Sequence, residues 1–115
     1  MLAEKNKATR ITKEIISYFL DNDLNEFDLK FSVDNDLFRL KISAPASNKP
    51  ESFDKLIHDL HTERQIEVDE YFNALLGSFS HDHDYTFLGK AIDLASGNFE
   101  DGILWLEIER QNMNS

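Results

Sequence analysis

Hydrophobic positions change period several times along the chain, and each change marks an element. From Ala8, the residues Ile11, Ile15, Tyr18 and Phe19 recur on one helical face, and Ile16 and Leu20 widen the stripe. Thr9 stands where an N-cap is expected. Residues 1–7 read as a loose lead-in, and "DNDLN" at 21–25 ends the helix. The period then falls to two. Phe27, Leu29, Phe31 and Val33 alternate with Asp28, Lys30, Ser32 and Asp34, and Phe38, Leu40 and Ile42 alternate with Arg39, Lys41 and Ser43. With Asn35 and Asp36 as a two-residue turn, Val33 faces Phe38, Phe31 faces Leu40 and Leu29 faces Ile42. All six then share one face.

"SAPASNKPES" at 43–52 reads as a loop. Phe53, Leu56, Ile57 and Leu60 predict a second helix, entered through Pro50 and Glu51. Val68, Tyr71, Phe72, Leu75 and Leu76 predict a third, ending near Gly77. A second loop, "SFSHDHD", leads to a short fourth helix on Leu88, Ala91, Ile92 and Ala95. In "FEDGILWLEIE", Asp101-Gly102 is a strong hairpin signal, with Phe99, Leu104, Leu106 and Ile108 on its core face. The predicted order is α-ββ-αα-α-ββ. It implies an α+β fold, a two-layer sandwich with helices on one face of a mostly antiparallel sheet of four or more strands. The whole chain, 1–115, reads as a single domain.

Composition supports a packed domain and narrows its chemistry. With 115 residues, 41% hydrophobic and 11% aromatic, the chain can bury roughly two thirds of its unfolded surface. The 22 acidic and 12 basic residues give a net charge of −10. That balance repels a phosphate backbone, so no nucleic acid is expected as a partner. Lys5, Lys7, Arg10 and Lys13 form one basic cluster, read as a solvated helix side. Cysteine is absent, which removes disulfides, thiol nucleophiles and cysteine metal knuckles, and fits a reducing cytoplasm. No apolar run reaches the roughly 18 residues of a membrane span, and no charged start leads into an apolar signal core. A cytoplasmic protein is expected.

The order of elements, with the residues around Gly89, resembles the histidine-kinase-like ATPase (Bergerat) family. "ITKEIISYFLDNDLNEFDLKFSVDNDLFRLKISAPA" at 11–46 is similar to that family's first helix and hairpin. "FLGKAIDLASGNFEDGILWLEIE" at 87–109 is similar to its last unit, with Leu88-Gly89 at the glycine step. The resemblance implies a nucleotide-binding fold. The family's first helix carries a Glu and, four residues later, an Asn that binds the nucleotide's magnesium. Here Glu14 is followed by Tyr18. The family's Asp-x-Gly-x-Gly loop, whose Asp reads adenine, corresponds to "SAPASNKP", which has neither Asp nor Gly. The resemblance therefore implies a fold whose nucleotide site is lost, with no ATP, no cofactor and no hydrolysis.

Two other groups of residues carry candidate chemistry. In an extended "HDHD", His81 and His83 point to one side and Asp82 and Asp84 to the other. Imidazoles ligate zinc, nickel or copper, and His58 and His61, three apart on the second helix, could complete a shell if that helix approached the loop. The alternative is a solvated acidic loop and an exposed helix side, so no metal is assigned. There is no nucleophile elbow, phosphate loop or dinucleotide fingerprint. On the last strand, Ile103 and Trp105 point away from the core residues, and Arg39 and Lys41 share that open face. Either an apolar anchor with a charged rim is exposed for self- or partner association, or a loop, helix or N-terminal segment covers it.

The expected function is therefore a non-catalytic interaction or regulatory domain. A small metal-binding protein or hydrolase using His81 and His83 is one alternative. An acidic mimic of nucleic acid, bound to a basic partner, is another.

Overall fold

A computed structural model of the chain describes residues 2–61 and 85–111. The helix expected over residues 68–77 and the "SHDHD" stretch, including His81 and His83, lie outside the described residues. The elements are α1 (Leu2–Asp21), β1 (Asp28–Val33), β2 (Leu37–Pro45), α2 (Phe53–Leu60), α3 (Thr86–Gly89), β3 (Leu94–Glu100) and β4 (Ile103–Gln111). The four strands form one sheet in the order β1-β2-β4-β3, and every neighbouring pair is antiparallel. This is the α+β fold that the alternating and helical patterns predict.

Both hairpins have the register set by their turns. Val33 pairs with Phe38, Phe31 with Leu40 and Leu29 with Ile42. The Asp34 carboxylate Oδ1 accepts the N–H groups of Asp36 at 2.8 Å and Leu37 at 2.9 Å. Those two bonds stabilise its charged form and hold its carboxyl below the usual range. At the second turn Asp101 (φ +53°) and Gly102 (φ +77°) are both left-handed. That matches the twist of the flanking strands, and β3 and β4 pair from Glu100↔Ile103 onward.

One side of the sheet carries the core. Phe38, Leu40, Ile42 and Ala44 of β2 and Leu104, Leu106 and Ile108 of β4 are buried with Ala8, Ile11, Ile15 and Phe19 of α1 and Phe53, Leu56 and Leu60 of α2. α1 closes with a left-handed residue, Asp23 (φ +62°). The N–H of Asp23 donates to the Leu20 carbonyl at 3.0 Å, and that of Leu24 to the Phe19 carbonyl at 2.9 Å. The two bonds satisfy carbonyls of the last turn and fold Leu24 back onto the core. Gly97 of β3 lies under α2, and a Cβ there would stand 2.9 Å from the Phe53 ring and 3.1 Å from Ile57. Gly89 fits against the end of α2, where a side chain would collide with the Asp59 carbonyl.

Five expectations need correction. The lead-in at residues 1–7 is helical from Leu2, because Glu4 is drawn into the interior by Arg110. Thr9 is therefore not a cap, and its hydroxyl donates to the Lys5 carbonyl at 2.9 Å. The first residues of the 43–52 loop belong to β2, where Ser43, Ala44 and Pro45 pair with Trp105, Leu104 and Ile103. The fourth helix stops at Gly89, and Ala95 belongs to β3 opposite Ile108. Leu29 and Phe31 keep their register but stay 38% and 40% exposed, because β1 is an edge strand.

Candidate functional site

Strand pairing puts the four residues of the expected interaction surface on one face of the sheet, with Lys41, Ile103 and Trp105 around one depression and Arg39 farther along, opposite Glu109. Along β4, Leu104, Leu106 and Ile108 point into the core, so Ile103, Trp105, Glu107 and Glu109 stand on the other face. Register extends this face across the sheet. Trp105 lies between Ser43 and Asn98, Glu107 between Lys41 and Ser96, and Glu109 between Arg39 and Leu94. The small Ser43 and Asn98 leave a depression around the half-buried indole. It has a volume of about 500 Å³ and is lined by Lys41, Ser43, Glu100, Ile103, Trp105 and Glu107.

The apolar part of this face is in solvent. Ile103 is 40% exposed and Leu94 52%. α1, whose apolar residues are buried in the core, lies on the opposite side of the sheet and does not cover Trp105. Charges of both signs surround the patch. The Arg39 guanidinium donates from Nε to Glu109 Oε1 at 2.9 Å, an exposed pair, and Lys41 stands directly opposite Glu107. The arrangement is an aromatic residue and an aliphatic neighbour within a rim of alternating charge.

A second concavity lies where α1 ends near α2. Tyr18, Asp21, Asn22, Ser52, Lys55, Leu56 and Tyr85 enclose about 290 Å³. Tyr18 stands where the Bergerat resemblance would place a magnesium-binding Asn. Its ring is buried, and its hydroxyl lies 2.9 Å from Ser52 Oγ. Ser52, at the start of α2, makes no side-chain cap there. Tyr85 packs edge-on against Tyr18, with ring centroids 5.9 Å apart. Burial pushes the Tyr85 phenol up to about 12, helped by the negative charges of Glu14 and Asp21. The Tyr18 phenol is also raised, first by burial. Raised above the ordinary phenol range, both are neutral hydrogen-bonding groups at physiological pH. Lys55 Nζ is 2.7 Å from Asp59 Oδ2. The cleft can hold a small polar group, but it presents no activated nucleophile among the described residues. Sequence pattern alone did not assemble it, because Tyr18, Ser52 and Tyr85 come from three separate segments with no motif spacing.

Of the four histidines in the metal alternative, His58 and His61 lie among the described residues, and His81 and His83 lie outside them. His61 Nε2 lies 2.7 Å from the Ala95 carbonyl oxygen, bridging the end of α2 to β3. Such a bond commits one ring nitrogen to the main chain. Among the described residues, no group of three or more His, Asp and Glu side chains is arranged to hold a metal ion. His58 stands on α2.

Sequence pattern also missed Arg110. It continues the core-facing alternation Leu104, Leu106, Ile108, and a guanidinium at such a position requires a partner. Its Nε and Nη2 donate to Glu4 Oε2 and Oε1 at 2.9 and 3.1 Å, and its Nη1 donates to the Ala91 carbonyl at 2.6 Å. Among the described residues, no helix is long and apolar enough to cross a membrane. No family model, curated protein or solved structure matches the chain.

Proposed function

We propose that this chain is a non-catalytic, cytoplasmic interaction domain of histidine-kinase-like ATPase fold whose nucleotide site has been lost. It binds a protein partner through the open face of its sheet. The observation that supports this reading is the depression around Trp105 and Ile103, set in solvent within a rim of Lys41, Glu100 and Glu107. A partner that fits it inserts an apolar side chain beside the indole and matches the rim with charges of its own. Tyr18 in place of a magnesium ligand, and the "SAPASNKP" segment without Asp or Gly, support the loss of nucleotide binding. The absence of cysteine fits a reducing compartment.

The test is affinity capture from the native host on immobilised wild type and Trp105→Ala, with circular dichroism confirming that both are folded. A partner held by wild type and depleted about tenfold or more on the variant supports the open face. Equal recovery on both sinks it. Calorimetry with magnesium and ATP is expected to give no binding heat, and saturable heat would refute the lost nucleotide site.

A further inference from the structure

The two edge strands of the sheet are finished differently. The N–H of Asp34 donates to the Leu37 carbonyl at 3.0 Å, closing the first hairpin. Hydrogen bonding alternates along an antiparallel ladder. Ser32, Lys30 and Asp28 therefore bond inward to β2, while Leu29, Phe31 and Val33 aim their main-chain groups away from the sheet. The N–H of Ala46 donates to the Gly102 carbonyl at 2.9 Å. Counting from there, Ala95, Gly97 and Phe99 are the outward residues of β3.

On β3 those outward groups are protected. His61 Nε2 lies 2.7 Å from the Ala95 carbonyl oxygen, and the N–H of Phe99 donates to Asn98 Oδ1 at 2.8 Å. Phe53 and Ile57 cover Gly97. On β1, among the described residues, no hydrogen bond reaches the outward groups of Leu29, Phe31 or Val33. Leu29 and Phe31 also leave 38% and 40% of their surface exposed. An open edge with apolar side chains is a template for another strand.

We propose that β1 pairs antiparallel with β1 of a second copy, joining two four-stranded sheets into one. Outward residues pair only with outward residues, and charge selects among the registers this allows. A two-fold axis at Lys30 would set Lys30 against itself, and one at Phe31 would set Asp28 against Asp34. An axis at Ser32 sets Lys30 of each copy against Asp34 of the other, and Phe31 against Val33. That register is complementary in charge and in shape to itself, which favours a second copy over a foreign strand. Lys30 and Ser32 belong to the open face, but the depression around Trp105 on β4 lies away from the paired edge.

The chain has no cysteine, so Ser32→Cys introduces a single thiol next to the proposed axis. Oxidised at roughly 50 µM, a concentration suited to a weak interface, this variant forms a disulfide-linked dimer about tenfold faster than Ser47→Cys in the exposed loop. Adding Phe31→Pro removes an outward N–H and no bond to β2, and it returns the rate to that of the control. Phe31→Lys does the same by charge and covers the case in which proline unfolds the strand. Wild-type sedimentation over roughly 10–500 µM shows a monomer–dimer equilibrium that Phe31→Lys abolishes. A wild-type monomer throughout that range overturns the proposal. So does a Ser32→Cys cross-linking rate equal to the control, or capture of a foreign strand at β1 without self-pairing.

Discussion

Glu4 and Arg110 form a bidentate ion pair inside the protein, with Arg110 fully buried and Glu4 5% exposed. Both N–H···O bonds are charge-assisted, and the third guanidinium nitrogen is held by the Ala91 carbonyl. Glu4→Ala leaves the guanidinium charge in the core without this carboxylate. Breaking such a pair from one side costs about 3–5 kcal/mol. For 115 residues, an unfolding entropy of about 2.1 cal/mol/K per residue gives about 0.24 kcal/mol/K. The melting temperature should therefore fall by about 12–20 °C. Glu4→Leu combined with Arg110→Met removes both charges and keeps apolar volume, so the double variant should melt close to wild type. Scanning calorimetry on wild type, Glu4→Leu, Arg110→Met and the double variant completes the cycle. A drop below about 4 °C for Glu4→Ala, or additive losses in the double variant, would refute the buried pair and the helical start at Leu2.

Two further predictions concern the second cleft and the second turn. An ultraviolet absorbance titration should show one tyrosine ionising at about 12, a step that Tyr85→Phe removes. The unfolded phenol loses its proton near 10, so this contribution to stability is intact below pH 10 and is lost as pH rises through about 12; a Tyr85 midpoint near 10 would contradict its burial. Gly102→Ala forces a side chain into a φ of +77° and should cost about 1 kcal/mol, lowering the melting temperature by about 4 °C. An unchanged melting temperature would mean that the turn relaxes freely.

The hairpins were legible because two independent signals agreed on each. Alternation named the faces, and the turn residues set the register that the strands adopt. The pattern could not tell which strand would lie at an edge. Leu29 and Phe31 therefore read as core residues, although β1 has a neighbour on one side only. Around Ala91, Ile92 and Ala95 the signal was ambiguous, since small apolar residues suit either period. Ala91 and Ile92 fall between elements, and β3 begins only at Leu94; the packing of Phe53 and Ile57 over Gly97 is a long-range condition that no local window contains. The helix start was hidden in the same way, because Glu4 acquires its reason only from Arg110, 106 positions away. The open face was better disclosed. Once Leu104, Leu106 and Ile108 were assigned inward, Ile103 and Trp105 had to point outward, and cross-strand register puts Lys41 and, farther along, Arg39 on the same face.

The place of β4 has a consequence for how the protein is made. It lies between β2 and β3, yet it comes last in sequence among the described strands. As the chain leaves the ribosome, the β1–β2 hairpin emerges first and waits with its inner edge unpaired. Until residues 103–111 arrive, β2 and β3 have no common neighbour, and Glu4 has no guanidinium to receive it. Closing the sheet is thus a late step with a long loop to close. During that interval a stalled or truncated chain exposes Phe38, Leu40 and Ile42 to chaperones or to other nascent chains.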